Sequence, residues 1–189
     1  MRWRASNKEH SMTPSSEQMP TLPTVQELYQ ALLKGVQALI EDLPEGEVHL
    51  VGIHSGGAWL AERLHSDLGL STALGTLNIS FYRDDFDRIG LHRQVEPSAV
   101  GFDVVGRHLV VVDDVLYTGR TIRAAMNELF DYGRPASIKL VVLIDRGQRE
   151  LPICADFAAW RFDVPPADNL VLAQTPTGEL TLHVESRQA

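Results

Sequence analysis

Apolar residues first recur at helical spacing over Val25, Leu28, Tyr29, Leu32, Val36, Leu39, Ile40 and Leu43. This predicts an amphipathic helix with one buried stripe. Thr24-Val25-Gln26-Glu27 has the form of a capping box and starts the helix, and Pro44 and Gly46 end it. The pattern then changes to short apolar runs. Val48 to Ile53 reads as a strand, followed by His54-Ser55-Gly56-Gly57 and a helix over Ala58 to Leu68. Thr72 to Tyr82 is the next predicted strand. Residues 83–107 follow neither period and contain Gly90, Pro97, Gly101 and Gly106. An irregular connection of that length reads as an active-site lid, with Arg83, Arg88, His92 and Arg93 to bring positive charge to an anion. Val110-Val111-Val112 then forms a β-branched core strand. Its loop leads into a helix through Ile122, Ala125, Met126, Leu129 and Phe130, stopped by Gly133 and Pro135. Ser137 to Asp145 is a further buried strand. After an irregular region, Leu170–Ala173 and Leu180–Val184 alternate around Thr175-Pro176-Thr177-Gly178, the signature of a hairpin. Strands alternating with helices predict an α/β fold, a mostly parallel twisted sheet with helices on both faces and a C-terminal hairpin.

Composition narrows this picture. Residues 1–23 are polar, with Pro14, Pro20 and Pro23 among serines and threonines, and read as a disordered extension. Residues 24–189 are then one domain, within reach of a single core. Apolar content of 44% and charged content of 22% are those of a soluble globular chain. No apolar run reaches the ~18 residues that span a bilayer, and the N-terminus carries no apolar signal segment. Cys154 is the sole cysteine, which rules out an intrachain disulfide or a cysteine metal cluster and fits a reducing cytoplasm. A net charge of −8 argues against a broad basic face for nucleic acid. Arg134, Arg146 and Arg149 are the candidates for a local basic patch.

The chemistry concentrates in Val112-Asp113-Asp114-Val115-Leu116-Tyr117-Thr118-Gly119-Arg120-Thr121. A buried strand ends in two adjacent carboxylates, and a glycine turn flanked by hydroxyl residues opens the next helix. Gly119 lets the backbone approach a phosphate, and Thr118, Thr121 and the free N–H groups of the first helical turn can bond its oxygens. Asp113 and Asp114 can accept from neighbouring ribose hydroxyls or position a hydrated Mg²⁺. His54-Ser55-Gly56-Gly57, between a strand and a helix, is a second phosphate-sized nest. A receiver domain also opens with a strand and an acidic pair. It needs a lysine at a later strand end, and the lysines here are Lys8, Lys34 and Lys139 only.

This arrangement resembles the 5-phosphoribosyl-1-pyrophosphate (PRPP) signature of type I phosphoribosyltransferases. Gly75-Thr76-Leu77-Asn78-Ile79-Ser80-Phe81-Tyr82-Arg83-Asp84-Asp85, the acidic motif, and Asp145-Arg146-Gly147-Gln148-Arg149-Glu150-Leu151-Pro152-Ile153 together look like the pyrimidine operon regulator/uracil phosphoribosyltransferase family, PyrR. The resemblance spans about residues 24 to 185. It implies that fold with a small hood, transfer of uracil onto PRPP to give UMP and pyrophosphate with Mg²⁺, and a homodimer or larger assembly. Carried onto this chain, it assigns PRPP binding to Asp113, Asp114, Val115, Leu116, Tyr117, Thr118, Gly119, Arg120 and Thr121. Pyrophosphate binding falls to Ile53, His54, Ser55, Gly56 and Gly57, and base binding to Asp156, Phe157 and Ala158. Asp113, Asp114 and Arg83 are the implied catalytic residues, with Asp113 and Asp114 holding the metal through water. Tyr117 stands where 6-oxopurine enzymes carry an acidic residue, which disfavours a purine.

Some positions depart from the better-known members. They carry a basic residue at the position of His54 and often one at Gly56, and a β-branched residue, glycine and lysine where this chain has Ala158-Ala159-Trp160. Members that bind attenuator RNA place basic residues on the first helix, where this chain has acids and glutamines. The acidic first helix speaks against RNA binding, and the departures at His54 and Gly56 make a nucleotide-sensing regulator, acting on RNA or protein with little or no turnover, the alternative to the enzyme.

Overall fold

The computed structural model describes residues 22–79, 97–165 and 168–186. The expected N-terminal extension up to residue 21 lies outside them, as do Arg83, Arg88, His92, Arg93 and most of the expected lid. Helix α1 spans Val25–Ile40, strand β1 Val48–Ile53, helix α2 Gly56–Asp67 and strand β2 Gly75–Leu77. Strand β3 (His108–Leu116), helix α3 (Arg120–Tyr132), strand β4 (Ser137–Asp145) and strand β5 (Phe157–Arg161) follow. Strands β6 (Asp168–Gln174) and β7 (Leu180–Ser186) close the chain.

A parallel sheet in the order β2-β1-β3-β4-β5 forms the centre, and β6 and β7 pair antiparallel as a separate hairpin. Strand alternation divides the core into two layers. Val48, Leu50, Val110, Val112, Val141 and Leu143 pack with Leu28, Tyr29, Leu32 and Val36 of α1, Leu60 and Leu64 of α2, and Leu170, Leu172 and Leu180 of the hairpin. On the other face Val51, Ile53, Leu109, Val111, Leu140 and Val142 pack with Ile122, Ala125 and Leu129 of α3. Among the described residues no helix is long and apolar enough to cross a membrane.

The capping box at Thr24 forms in full. The Thr24 hydroxyl accepts from the Glu27 N–H at 3.2 Å, and the Glu27 carboxylate accepts from the Thr24 N–H at 2.8 Å, which holds the Glu27 pKa below the ordinary carboxylate value. Tyr29 ties α1 to α2: its hydroxyl donates to Asp67 at 2.6 Å and the Arg63 guanidinium lies over its ring at 4.2 Å. Burial, and then the Asp67 carboxylate, push the phenol pKa well above its usual value. Thr24→Ala is expected to cost about 1 kcal/mol, a drop of roughly 2–4 °C in the melting midpoint. An unchanged thermal melt would show that the cap adds nothing to the packing of α1.

Two sequence expectations change. The strand expected over Thr72 to Tyr82 is confined to Gly75–Leu77 among the described residues. Its first part is held by side chains instead of a ladder. The Thr72 hydroxyl donates to Val48 O at 2.6 Å, Thr72 O pairs with His65 Nε2 at 2.6 Å, and Ala73 O pairs with His49 Nδ1 at 2.9 Å. Conversely, β5 lies inside the stretch expected to be irregular. Phe157-Ala158-Ala159-Trp160-Arg161 has no alternation, yet it pairs along β4 from Val141↔Phe157 to Asp145↔Arg161 as the edge strand.

Candidate active site

In a parallel sheet the carboxyl ends of neighbouring strands share one edge, and ligands bind in the crevice outside it. Ile53 of β1, Leu116 of β3, Asp145 of β4 and Arg161 of β5 lie at that edge. The loops leaving β1 and β3 carry the two candidate phosphate nests, so the topology brings them together.

Their contact is close. At Gly56, the first residue of α2, an added Cβ would lie 2.3 Å from Oδ2 of Asp114. At Gly57 it would lie 2.3 Å from the carbonyl oxygen of Val112. The absence of side chains here allows the start of α2 to rest directly on β3, with the Asp114 carboxylate against the loop. Among the remaining loop residues, Ile53 is buried while His54 and Ser55 are half-buried. The His54 N–H donates to Leu77 O at 2.9 Å, and the His54–Ser55 peptide is cis.

The acidic pair is split. Asp113 is only 5% exposed and its Oδ1 accepts from the Asp114 N–H at 3.0 Å. Asp114 is half-buried, its Oδ1 accepts from the Val115 N–H at 2.9 Å, and its Oδ2 faces Gly56. Asp114 is thus the carboxylate placed between the two loops.

Beyond Leu116 the chain turns through Tyr117, Thr118 and Gly119 into α3. Gly119 has φ +93°, a conformation that side-chain-bearing residues avoid, and Ile153 packs beside it. Thr118 is buried, with Oγ1 accepting from the Arg120 N–H at 3.2 Å, while Thr121 is half-buried in the first helical turn. The Arg120 guanidinium is engaged by Glu150, its Nε donating at 2.9 Å. The Tyr117 ring lies under the Arg146 guanidinium, 4.1 Å from the ring centroid.

Asp156, Phe157 and Ala158, expected to bind the base, lie at the start of β5 and not at its carboxyl end. Phe157 pairs with Val141, level with Val112, and Ala158 pairs with Val142, level with Asp113. The Asp156 carboxylate accepts from the Leu140 N–H at 2.8 Å, and the Phe157 ring fills the space beside Gly35 of α1. The segment beside Tyr117 is instead the one after β5. Arg146 Nη2 donates to Pro165 O at 3.2 Å, Gln148 Nε2 donates to Val164 O at 2.7 Å, and Asp163 reaches Gly147. Sequence reasoning missed it because it lacks a motif and follows β5, a strand that the sequence itself does not announce.

The arginine patch does not form either. Arg134 is exposed, but Arg146 is 2% exposed and Arg149 is bonded to Asp145 and to backbone carbonyls. Among the described residues no cluster of three or more His, Cys, Asp or Glu is disposed to hold a metal by itself.

Known proteins share this fold. The phosphoribosyl transferase domain matches residues 24–168. The "Bifunctional protein PyrR" of Nitrosococcus oceani is 48% identical over 155 residues, covering 81% of this chain and 88% of that protein. The protein of the same name from Pseudomonas paraeruginosa is 55% identical over 136 residues, covering 72% and 80%. Among solved structures, a hypoxanthine-guanine phosphoribosyltransferase from Bacillus anthracis superposes with a TM-score of 0.59 at 16% identity, covering 75% of this chain and 85% of that one. The Leishmania tarentolae HGPRT-ase in complex with GMP gives 0.57 at 21% identity, covering 78% and 82%. These two speak for the fold, and the sequence relatives speak for the family: the chain belongs to the PyrR family of type I phosphoribosyltransferases.

Proposed function

We propose that this protein transfers uracil onto PRPP, forming UMP and pyrophosphate. The observation that carries the reading is the packing of Asp114 against Gly56, which sets a carboxylate suited to ribose hydroxyls between a loop suited to pyrophosphate and a loop suited to a 5′-phosphate. PRPP presents those three groups in that order around one ring.

As pyrophosphate leaves, C1′ develops oxocarbenium character, so catalysis is a matter of position and charge. Thr118, Thr121 and the N–H groups at the start of α3 hold the 5′-phosphate, favoured by the helix dipole. Asp114, with Asp113 behind it, accepts from the ribose hydroxyls. The backbone of His54 to Gly57 takes the pyrophosphate, and Arg83 is assigned to it as a further cation. The base belongs at the carboxyl edge of β4, beside Tyr117 and the segment at 163–165, because it has to meet C1′.

Two adjacent carboxylates with no third protein ligand among the described residues fit Mg²⁺, which keeps several waters and takes its other ligands from substrate oxygens. Asp113 and Asp114 would hold it through water, and when bound it offsets the negative charge of the pyrophosphate.

UMP formation from uracil and PRPP with Mg²⁺, assayed beside cytosine, hypoxanthine and orotate, tests the proposal. Product with uracil alone is expected, and product with hypoxanthine alone would overturn it. A second reading, a nucleotide-sensing regulator with little turnover, is favoured by one feature: His54 and Gly56 supply little positive charge where Asp114 adds a negative one. Tight UMP binding with no UMP formation would favour that reading.

A further inference from the structure

The guanidinium of Arg149 is bonded more fully than a surface arginine, chiefly to backbone carbonyls around the loop after β3. Its Nε donates to Ile153 O at 3.0 Å, and its Nη1 donates to Leu116 O at 3.3 Å, to Gly147 O at 3.1 Å and to Tyr117 O. Nη2 pairs with the Asp145 carboxylate, and the side chain is 21% exposed. The backbone around it continues the pattern. The Arg146 N–H donates to Leu116 O at 3.1 Å, and the Glu150 and Leu151 N–H groups donate to Thr118 O at 3.0 and 3.1 Å. The carbonyls of Leu116, Tyr117 and Thr118 are therefore all held by the segment from Arg146 to Leu151.

A trans peptide is planar, with its C=O and the next N–H pointing in opposite directions. Holding those three carbonyls on one side aims the N–H groups of Tyr117, Thr118 and Gly119 to the other. Successive N–H groups with a common aim make an anion-binding concavity, and this one leads into the free N–H groups at the start of α3. Tyr117 O receives only Arg149 in this set, so that peptide depends on the guanidinium most. A lysine, with three donors on a single nitrogen, cannot span five acceptors spread around a planar fork.

We infer that Arg149 is a positioning residue for the 5′-phosphate: it orients the backbone N–H groups of the Tyr117–Gly119 loop and does not itself contact the ligand. The inference rests on the phosphoribosyltransferase reading above and adds a residue to it. It also removes Arg149 from any surface that would bind nucleic acid.

The test uses the full chain and two ligands, ribose 5-phosphate for the loop after β3 and magnesium pyrophosphate for the loop after β1. Arg149→Met is expected to weaken ribose 5-phosphate binding roughly 10- to 100-fold, the scale of losing hydrogen bonds that involve a charged group. Magnesium pyrophosphate binding should stay within about threefold of wild type, because the His54–Gly57 loop does not touch Arg149; Arg149→Lys should fall between. Should Arg149→Met fail to fold, Arg149→Lys carries the test through the same selective loss. An equal loss for both ligands would mean a merely structural residue, and no loss for either would mean the loop orients itself; each overturns the inference while leaving the function standing. Failure of the wild-type chain to bind either ligand would overturn the phosphoribosyltransferase reading and this inference with it.

Discussion

Asp114→Asn is expected to weaken PRPP binding roughly 10- to 100-fold without lowering the melting midpoint of the free protein. The structure separates the two effects by oxygen. Oδ1 accepts from the Val115 N–H at 2.9 Å, and an asparagine retains that acceptor. Oδ2 faces the backbone of Gly56, and there the substitution replaces an anionic acceptor with a neutral donor. A ribose hydroxyl loses a charge-assisted partner, worth about 1.5–3 kcal/mol. The folded chain loses only a charge beside that of Asp113, so stability should be equal or slightly raised. Thermal melts with and without PRPP and Mg²⁺ distinguish the outcomes. A reduced ligand-induced rise on an unchanged baseline supports the ribose site. A lowered baseline with an intact rise would make Asp114 a purely structural residue.

Much of the fold was legible because its physics is local. The stripe from Val25 onward, the Thr24 capping box, the β-branched run before Asp113 and the alternation around Thr175–Gly178 each name an element without tertiary information. Strand β5 was hidden for the opposite reason. Phe157-Ala158-Ala159-Trp160-Arg161 has no period of two, and what makes it a strand is the backbone of β4 beside it.

The candidate site divides in the same way. That two glycine-rich loops and an acidic pair stand at one sheet edge follows from strand order, which the alternation of strands and helices predicts. The roles of single side chains in the loop after β4 do not follow. Arg146 and Arg149 look alike in a polar segment, a basic patch by composition. One lies over Tyr117 and the other is surrounded by carbonyls, because three strand ends converge there. Placing the base on Asp156 and Phe157 rested on local similarity alone. Only the register of β5 shows that Phe157 is level with the middle of β3.

Gly56→Ala and Gly57→Ala are the same chemical change on adjacent residues, and they are expected to fail differently. At Gly57 the new methyl would meet backbone: Val112 O at 2.3 Å, the Asp113 Cα at 3.0 Å and the Val112 carbonyl carbon at 3.1 Å. β3 is paired on both sides, with β1 and β4, so it cannot yield; α2 has to move off the sheet. Such overpacking costs about 1–3 kcal/mol or more, a fall of roughly 2–4 °C in the midpoint for each kcal/mol. At Gly56 the methyl would meet the Asp114 side chain, Oδ2 at 2.3 Å, Cγ at 2.7 Å and Cβ at 2.9 Å. The carboxylate can turn aside and only the milder Cβ contact remains, so stability should fall less, while the carboxylate leaves its place between the loops and PRPP binding weakens. The loss at Gly56 should then depend on Asp114: in an Asp114→Ala background, Gly56→Ala should change PRPP affinity by less than about twofold, the additivity error of unlinked sites. Denaturant melts and PRPP titrations of the two alanine variants and the double variant decide the matter. Equal stability losses at both glycines, with an undiminished Gly56 effect on PRPP in the absence of the Asp114 carboxylate, would show that the contact between Gly56 and Asp114 does not set the geometry of the site.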